Sequence, residues 1–289
     1  MLVGASPAAA ATPIPVLHSR ASELQPAVAT GLLAWTQAPS AHPNRYAAYA
    51  RSDGKHRFRL NPRGTLGFTA SGAIDGMTIV YQQRRSFNGP GNMKLFDLAT
   101  HKRRDPPPGV NTRRHEKGGA LFGDWLLFTR ESSSRDQVIL FNLVTREARQ
   151  LDVARGNASF GSGGSLRGSY AAWAKCRRPS RCQTYVYDIA SRAKLRVPNP
   201  RHRSQYAVSV TSAGVVYFAE SRNINCGREV GLWRYPLGGA RTRLLSLSGG
   251  HDLSTTSPVV DSSGTTSLFY DRFVCRTNRS DVFKLKLAP

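Results

Sequence analysis

The chain has 289 residues and is 40% hydrophobic, enough to bury a core without needing cross-links merely to fold. No run approaches the ~18 consecutive apolar residues that mark a membrane-spanning helix. Lys and Arg total 41 against 18 Asp and Glu, a net charge of +23, which disfavours cationic partners and favours anionic ones.

Of the 41 basic residues 33 are Arg, a bias that GC-rich coding produces and that a polyanionic partner also explains. They lie in short clusters along the whole chain rather than in one block. None of the usual nucleic-acid modules is present, so nucleic acid is the disfavoured polyanion.

The N-terminal text MLVGASPAAAATPIPVL is Ala-rich, with Ala-x-Ala possibilities between Ala8 and Ala11. Residues 1–11 are expected to be a signal-peptide remnant or a disordered N-terminus. Four cysteines, an even number, fit an oxidising compartment. Both cues point outside the cytoplasm, to a secreted, periplasmic or cell-envelope protein.

From residue 12 onward the chain repeats. Gly followed by an apolar run ending in an aromatic occurs six times: GLLAW (31–35), GMTIVY (76–81), GDWLLF (123–128), GSYAAW (168–173), GVVYF (214–218) and GTTSLFY (264–270). A second motif follows each, an apolar and aromatic run entering a small turn. It reads AAYARSDGK (47–55), KLFDLATHK (94–102), ILFNLVTRE (139–147), YVYDIASRA (185–193), GLWRYPLGG (231–239) and DVFKLKLAP (281–289). Its aromatics, Tyr49, Phe96, Phe141, Tyr187, Trp233 and Phe283, recur every 45 to 50 residues. Short β-branched and aromatic runs bounded by Gly, Asn, Asp and Ser read as strands, and no amphipathic helix with a capping box stands out. About four strands per ~46 residues is the signature of a propeller blade.

The expected fold is therefore all-β: a six-bladed β-propeller of four-stranded blades, forming one domain over residues 12–289. The blades span approximately 21–62, 65–110, 118–154, 161–198, 205–248 and 253–289 plus 12–20. Strands are labelled A (innermost) to D (outermost). The last unit ends after its C strand, which leaves an open edge. Residues 13–19 are expected to pair beside 280–287 as the missing outer strand and so close the ring. Two prolines in that segment suit an edge strand.

Through LFDLATHK, LFNLVTRE and VYDIASRA the chain resembles the TolB-like, WD40-like propeller repeats of bacterial envelope proteins. The resemblance covers almost the whole chain. It implies a propeller used for protein interaction in the envelope and carries no catalytic residues.

In such a ring the B–C loops and D–A connections share one face, the expected location of a site. The D–A connections are read to hold Arg63, Arg114, His115, Arg201, His202, Arg203 and His251. The B–C loops hold Arg177, Arg178 and Arg181. Arg pairs bidentately with carboxylate or phosphate. The reading is a non-catalytic binding or scaffold domain, recognising a protein or an anionic envelope polymer through this Arg-rich face. The alternative is a lyase-type enzyme on an acidic polysaccharide, with His115, His202 or His251 as base. Three His from three blades could also meet a metal, but His in polar loops is usually solvated. No metal, cofactor or catalytic residue is assigned, and a monomer is expected.

Cys176 and Cys182 flank the loop CRRPSRC between strands B and C of blade IV, so they face each other across a hairpin. Cys226 and Cys275 occupy the equivalent loops of the next two blades. The expected pairs are Cys176–Cys182 and Cys226–Cys275, with a four-cysteine zinc site as the rival.

Overall fold

The computed structural model describes residues 12–42, 44–177, 181–200, 203–222, 224, 226 and 229–287; residues 1–11, Arg178, Arg201 and His202 lie outside them. Among the described residues every regular element is a β-strand. The chain opens with β1 (Ile14–Leu17). Blade I is β2 (Ser22–Ala29), β3 (Leu32–Ala38), β4 (Ala47–Ser52) and β5 (Phe58–Arg59). Blade II has a divided inner strand, β6 (Leu66–Phe68) and β7 (Ile74–Asp75), then β8 (Thr78–Arg84), β9 (Gly91–Asp97) and β10 (Lys102–Arg104). Blade III is β11 (His115–Phe122), β12 (Trp125–Glu131), β13 (Arg135–Asn142) and β14 (Ala148–Arg155). Blade IV is β15 (Ala158–Arg167), β16 (Tyr170–Arg177), β17 (Cys182–Asp188) and β18 (Lys194–Arg196). Blade V is β19 (Ser204–Val210), β20 (Val215–Ser221), β21 (Val230–Pro236) and β22 (Thr242–Leu247). Blade VI is β23 (His251–Val260), β24 (Thr266–Val274) and β25 (Arg279–Leu287).

Each blade is an antiparallel meander, and β1 adds to the free edge of β25, so blade VI has four strands from both ends of the chain. Ile14 pairs with Lys284, Pro15 with Phe283 and Leu17 with Val282. Pro15 loses nothing here, because the outermost strand needs no second row of donors. Neighbouring blades touch in chain order and blade VI touches blade I, which makes a closed six-bladed propeller. Antiparallel alternation puts every D–A connection and B–C turn on one face, called here the entry face.

The repeated aromatics explain why these segments form blades. Trp35, Tyr81, Phe128, Trp173, Phe218 and Tyr270 end the Gly-led runs, lie on the B strands and are all buried. The C-strand aromatics fall into two registers. Tyr49, Trp233 and Phe283 stand directly opposite the B-strand aromatic. Phe96, Phe141 and Tyr187 instead face Ile79, Leu126 and Ala171, two residues earlier on strand B. A slip of two keeps every side chain on the same face of the sheet, so both registers turn the ring to the same side; Phe96, Phe141 and Phe283 are buried and Tyr49, Tyr187 and Trp233 half-buried.

The small turns after the C strands have a shared construction. Asp97, Asn142 and Asp188 accept backbone N–H groups from Thr100, Val144 and Thr145, and Ala190 at 2.8–3.0 Å. His101, Arg146 and Arg192 then take positive φ where blades I and V use Gly54 and Gly238.

Around the axis the A strands of blades I, III, IV, V and VI each carry a bulge midway. At the bulge of blade IV, Gly163 has φ +68°, and a Cβ there would meet the Gly118 backbone at 3.0 Å. Glycine therefore lets blades III and IV approach at the hub.

Both expected disulfides are present. Cys176 and Cys182 are directly paired in register, with Cα atoms 3.9 Å apart. Cys226 and Cys275 join blades V and VI across 5.9 Å.

Candidate functional site

The B–C hairpin of blade IV builds the site. Lys175 faces Gln183 and Cys176 faces Cys182. The Arg177 N–H donates to the Arg181 carbonyl at 2.9 Å, while the Cys182 N–H turns outward to Ser204 Oγ at 3.2 Å. The staple thus sets Arg177 and Arg181 opposite each other at the root of the loop. Outer strands of two blades add to them: β14 ends at Arg155 and β18 ends at Arg196, both arriving on the entry face. The connection into blade V adds Asn199, Pro200 and Arg203. With Gln183 and Tyr185 these residues line a concavity of about 770 Å³.

Its charge is uncompensated. Lys175, the one lysine of the lining, is already committed: it donates to Asp152 Oδ1 at 2.7 Å and to the Val153 carbonyl at 2.6 Å. Lys194 reaches Asp152 at 2.8 Å and the Trp173 indole N–H donates to it at 3.1 Å. Burial opposes the charge on Asp152, but these donors outweigh it and hold the carboxyl below its ordinary pKa. Arg155, Arg177, Arg181, Arg196 and Arg203 have no carboxylate within ion-pair distance among the described residues. Four of the five are exposed and Arg203 is half-buried.

Elsewhere on the entry face some arginines are paired, while Arg45, Arg63, Arg85 and Arg113 are exposed with no carboxylate within ion-pair distance among the described residues. Arg130 pairs with the buried Glu116 at 3.0 Å and Arg241 pairs with Glu220. Arg57 donates to Gln37 Oε1 at 2.7 Å and lies over Tyr49, and Arg59 donates to the Thr65 carbonyl at 3.1 Å. Five guanidiniums without a carboxylate partner gathered around one hollow are a local concentration, and the field they make attracts oxyanions.

Of the residues singled out from sequence, Arg177, Arg181 and Arg203 meet here. Arg63 is exposed on the connection between blades I and II, and Arg114 points at Gln137 Oε1, 3.4 Å away on blade III. Arg155 and Arg196 were missed. The available signal was that a D strand delivers its last residue to the same face as the loops.

His115 and His251 are not connection residues as expected; they begin the A strands β11 and β23. These strands belong to blades III and VI, on opposite sides of the ring. His115 Nδ1 accepts the Gly91 N–H at 2.9 Å, and its Nε2 lies 3.0 Å from Arg84 and 3.3 Å from Gln82. Burial, then the Arg84 charge, push its pKa down, so the ring is neutral and built into the blade II–III seam. His251 Nδ1 lies 3.3 Å from the Ser248 carbonyl.

No family model matches the chain, and no curated protein matches its sequence. Solved structures do match in shape. TolB from Acinetobacter baumannii superposes with a TM-score of 0.59 at 13% identity, over 89% of this chain and 64% of that one, so this chain spans just under two thirds of that protein. A TolB-type protein from Agrobacterium tumefaciens gives 0.59 at 11% identity, over 94% of this chain and 92% of that one. The β-propeller domain of the Trilobed protease from Pyrococcus furiosus gives 0.55 at 11% identity, over 94% of each chain. That domain is described as having an open velcro topology, whereas β1 closes the ring here. At these identities the likeness is one of fold: the chain resembles the TolB-like propellers.

Proposed function

We propose that this chain is a non-catalytic, extracytoplasmic binding propeller that holds an anionic envelope polymer, or an acidic protein segment, in the arginine pocket of blade IV. The observation that carries this is the set of five guanidiniums lining one hollow with no carboxylate partner among the described residues. An empty cluster of like charges is self-repelling, and an oxyanion ligand relieves that repulsion while making charge-assisted hydrogen bonds. Two disulfides support an oxidising compartment. Among the described residues the pocket lining holds Tyr185 and no histidine, and the candidate base His202 lies outside them.

The test is calorimetric titration with polyphosphate, a probe of charge alone. Replacing Arg177, Arg181 and Arg196 together by Ala is expected to weaken binding roughly 10- to 100-fold, at up to about 1 kcal/mol per exposed contact. A triple variant that binds polyphosphate as tightly as the parent protein would overturn the assignment.

A further inference from the structure

The entry face has a second concavity, between blades I and II, that the arginine pocket does not explain. Tyr46, the residue before β4, packs its ring on Phe68 of β6 with centroids 5.0 Å apart. It also stacks on Phe87, in the β8–β9 turn, at 6.1 Å and 24°. Phe87 is 48% exposed, an unusual place to leave a ring. Arg84 ties the platform together: it lies 4.9 Å over Phe68 and donates to the Phe87 carbonyl at 3.0 Å. The protein's own contacts therefore hold the platform in place, which lowers the ordering cost of binding.

Two hollows flank it, and Tyr46 lines both. One, of about 270 Å³, descends past Gln25, Thr36, Thr69, Gln82 and Lys117. The other, of about 670 Å³, holds Arg45, Arg57, Arg59 and Thr65. The Tyr46 hydroxyl has no hydrogen-bond partner among the described residues. An aromatic floor with amides, hydroxyls and cations at its rim fits a ring that is apolar on its face, polar at its edge, and carried on an acidic chain.

We propose that Tyr46 and Phe87 form a stacking subsite for the pyranose rings of an acidic polysaccharide. This rests on the anionic-polymer reading above and names the polymer as a glycan: blade IV takes acid groups and the platform takes the sugar face. Nucleobases also stack on such surfaces. The two disulfides favour the sugar, because they belong to compartments outside the cytosol.

The experiment compares three probes on the intact chain at low salt: a hexameric polyuronate, polyphosphate and oligothymidylate. Phe87→Ala is expected to weaken the polyuronate about 3- to 10-fold, the range of an aromatic contact, and to leave polyphosphate unchanged. Phe87→Trp should restore or tighten the polyuronate. Phe87 is exposed, and an unchanged melting temperature checks the fold. The stacking subsite is wrong, with the arginine pocket still standing, if polyphosphate binds but the polyuronate does not. It is equally wrong if Phe87→Ala leaves the polyuronate untouched or weakens oligothymidylate more. If neither polyanion binds the parent protein, both readings fall together.

Discussion

Asp271 sits fully buried at the seam where blade VI meets blade I. It accepts the backbone N–H groups of Gln25 at 3.0 Å, Ser254 at 2.9 Å and Thr255 at 2.7 Å, and the Ser254 hydroxyl as well. Gln25 belongs to the first blade and Ser254 to the last, so one carboxylate ties the A-strand bulges across the closure. An amide has one acceptor oxygen in place of two, leaving buried donors facing an NH₂ group. Asp271→Asn is expected to cost about 3 kcal/mol in urea unfolding, one to two unsatisfied donors' worth. In the text LFYDRF nothing separates this Asp from a surface one; its role depends on two bulges more than 200 residues apart. His115 offers a second test. Its folded pKa is lowered, so the unfolded chain binds the proton first as pH falls. Its contribution is present above the ordinary value of 6.5 and is lost as pH falls from there through the lowered folded value. The drop in melting temperature between pH 7.5 and 5.5 should shrink in His115→Gln, whose amide oxygen can still accept the Gly91 N–H. An equal drop in both proteins would remove His115 as the cause.

At the scale of elements, the two staples and the closing strand do different work. Cys226–Cys275 closes a span of 49 residues across two blades, and Cys176–Cys182 a span of 6 within one hairpin. On chain-entropy grounds the serine pair replacing the first should cost about 4 kcal/mol and that replacing the second about 2. Denaturant midpoints of the two variants measure this, and the reverse order would contradict the entropic account. The short staple has a second consequence: it holds Arg177 and Arg181 at the pocket, so its loss should weaken polyphosphate binding while the long staple's loss should not. Strand β1 is locked by more than its ladder, since His18 lies 3.0 Å from Asp281 and Arg51 reaches the Val16 carbonyl at 3.4 Å. Deleting residues 12–20 bares the edge of β25, and light scattering is expected to show aggregation. The strand repeat was readable because alternation and turn residues act over a few positions. The two C-strand registers were not, because a slip of two leaves the hydrophobic pattern unchanged.

For the molecule as a whole, the charge of +23 bears on the proposed binding of a polyanion. Affinity for polyphosphate should fall steeply between 50 and 200 mM salt, since the contacts are exposed and screening acts within about 10 Å. A salt-independent affinity would mean that charge is not the driving term. Six blades, strand order, ring closure and both cysteine pairings were all determined by the sequence itself. They follow from patterns that repeat about every 46 residues, and each repeat carries its own turn and buried aromatic. The tertiary structure alone decided which of 33 arginines share a hollow. Arg155 comes from the outer strand of blade III, Arg177 and Arg196 from the hairpin and outer strand of blade IV, and Arg203 from the connection to blade V. Whether each is free depends on where the few carboxylates fall: Asp152 takes Lys175, and Glu116 and Glu220 take Arg130 and Arg241. Convergence and neutralisation are set by the ring's geometry across blades, which no local pattern records.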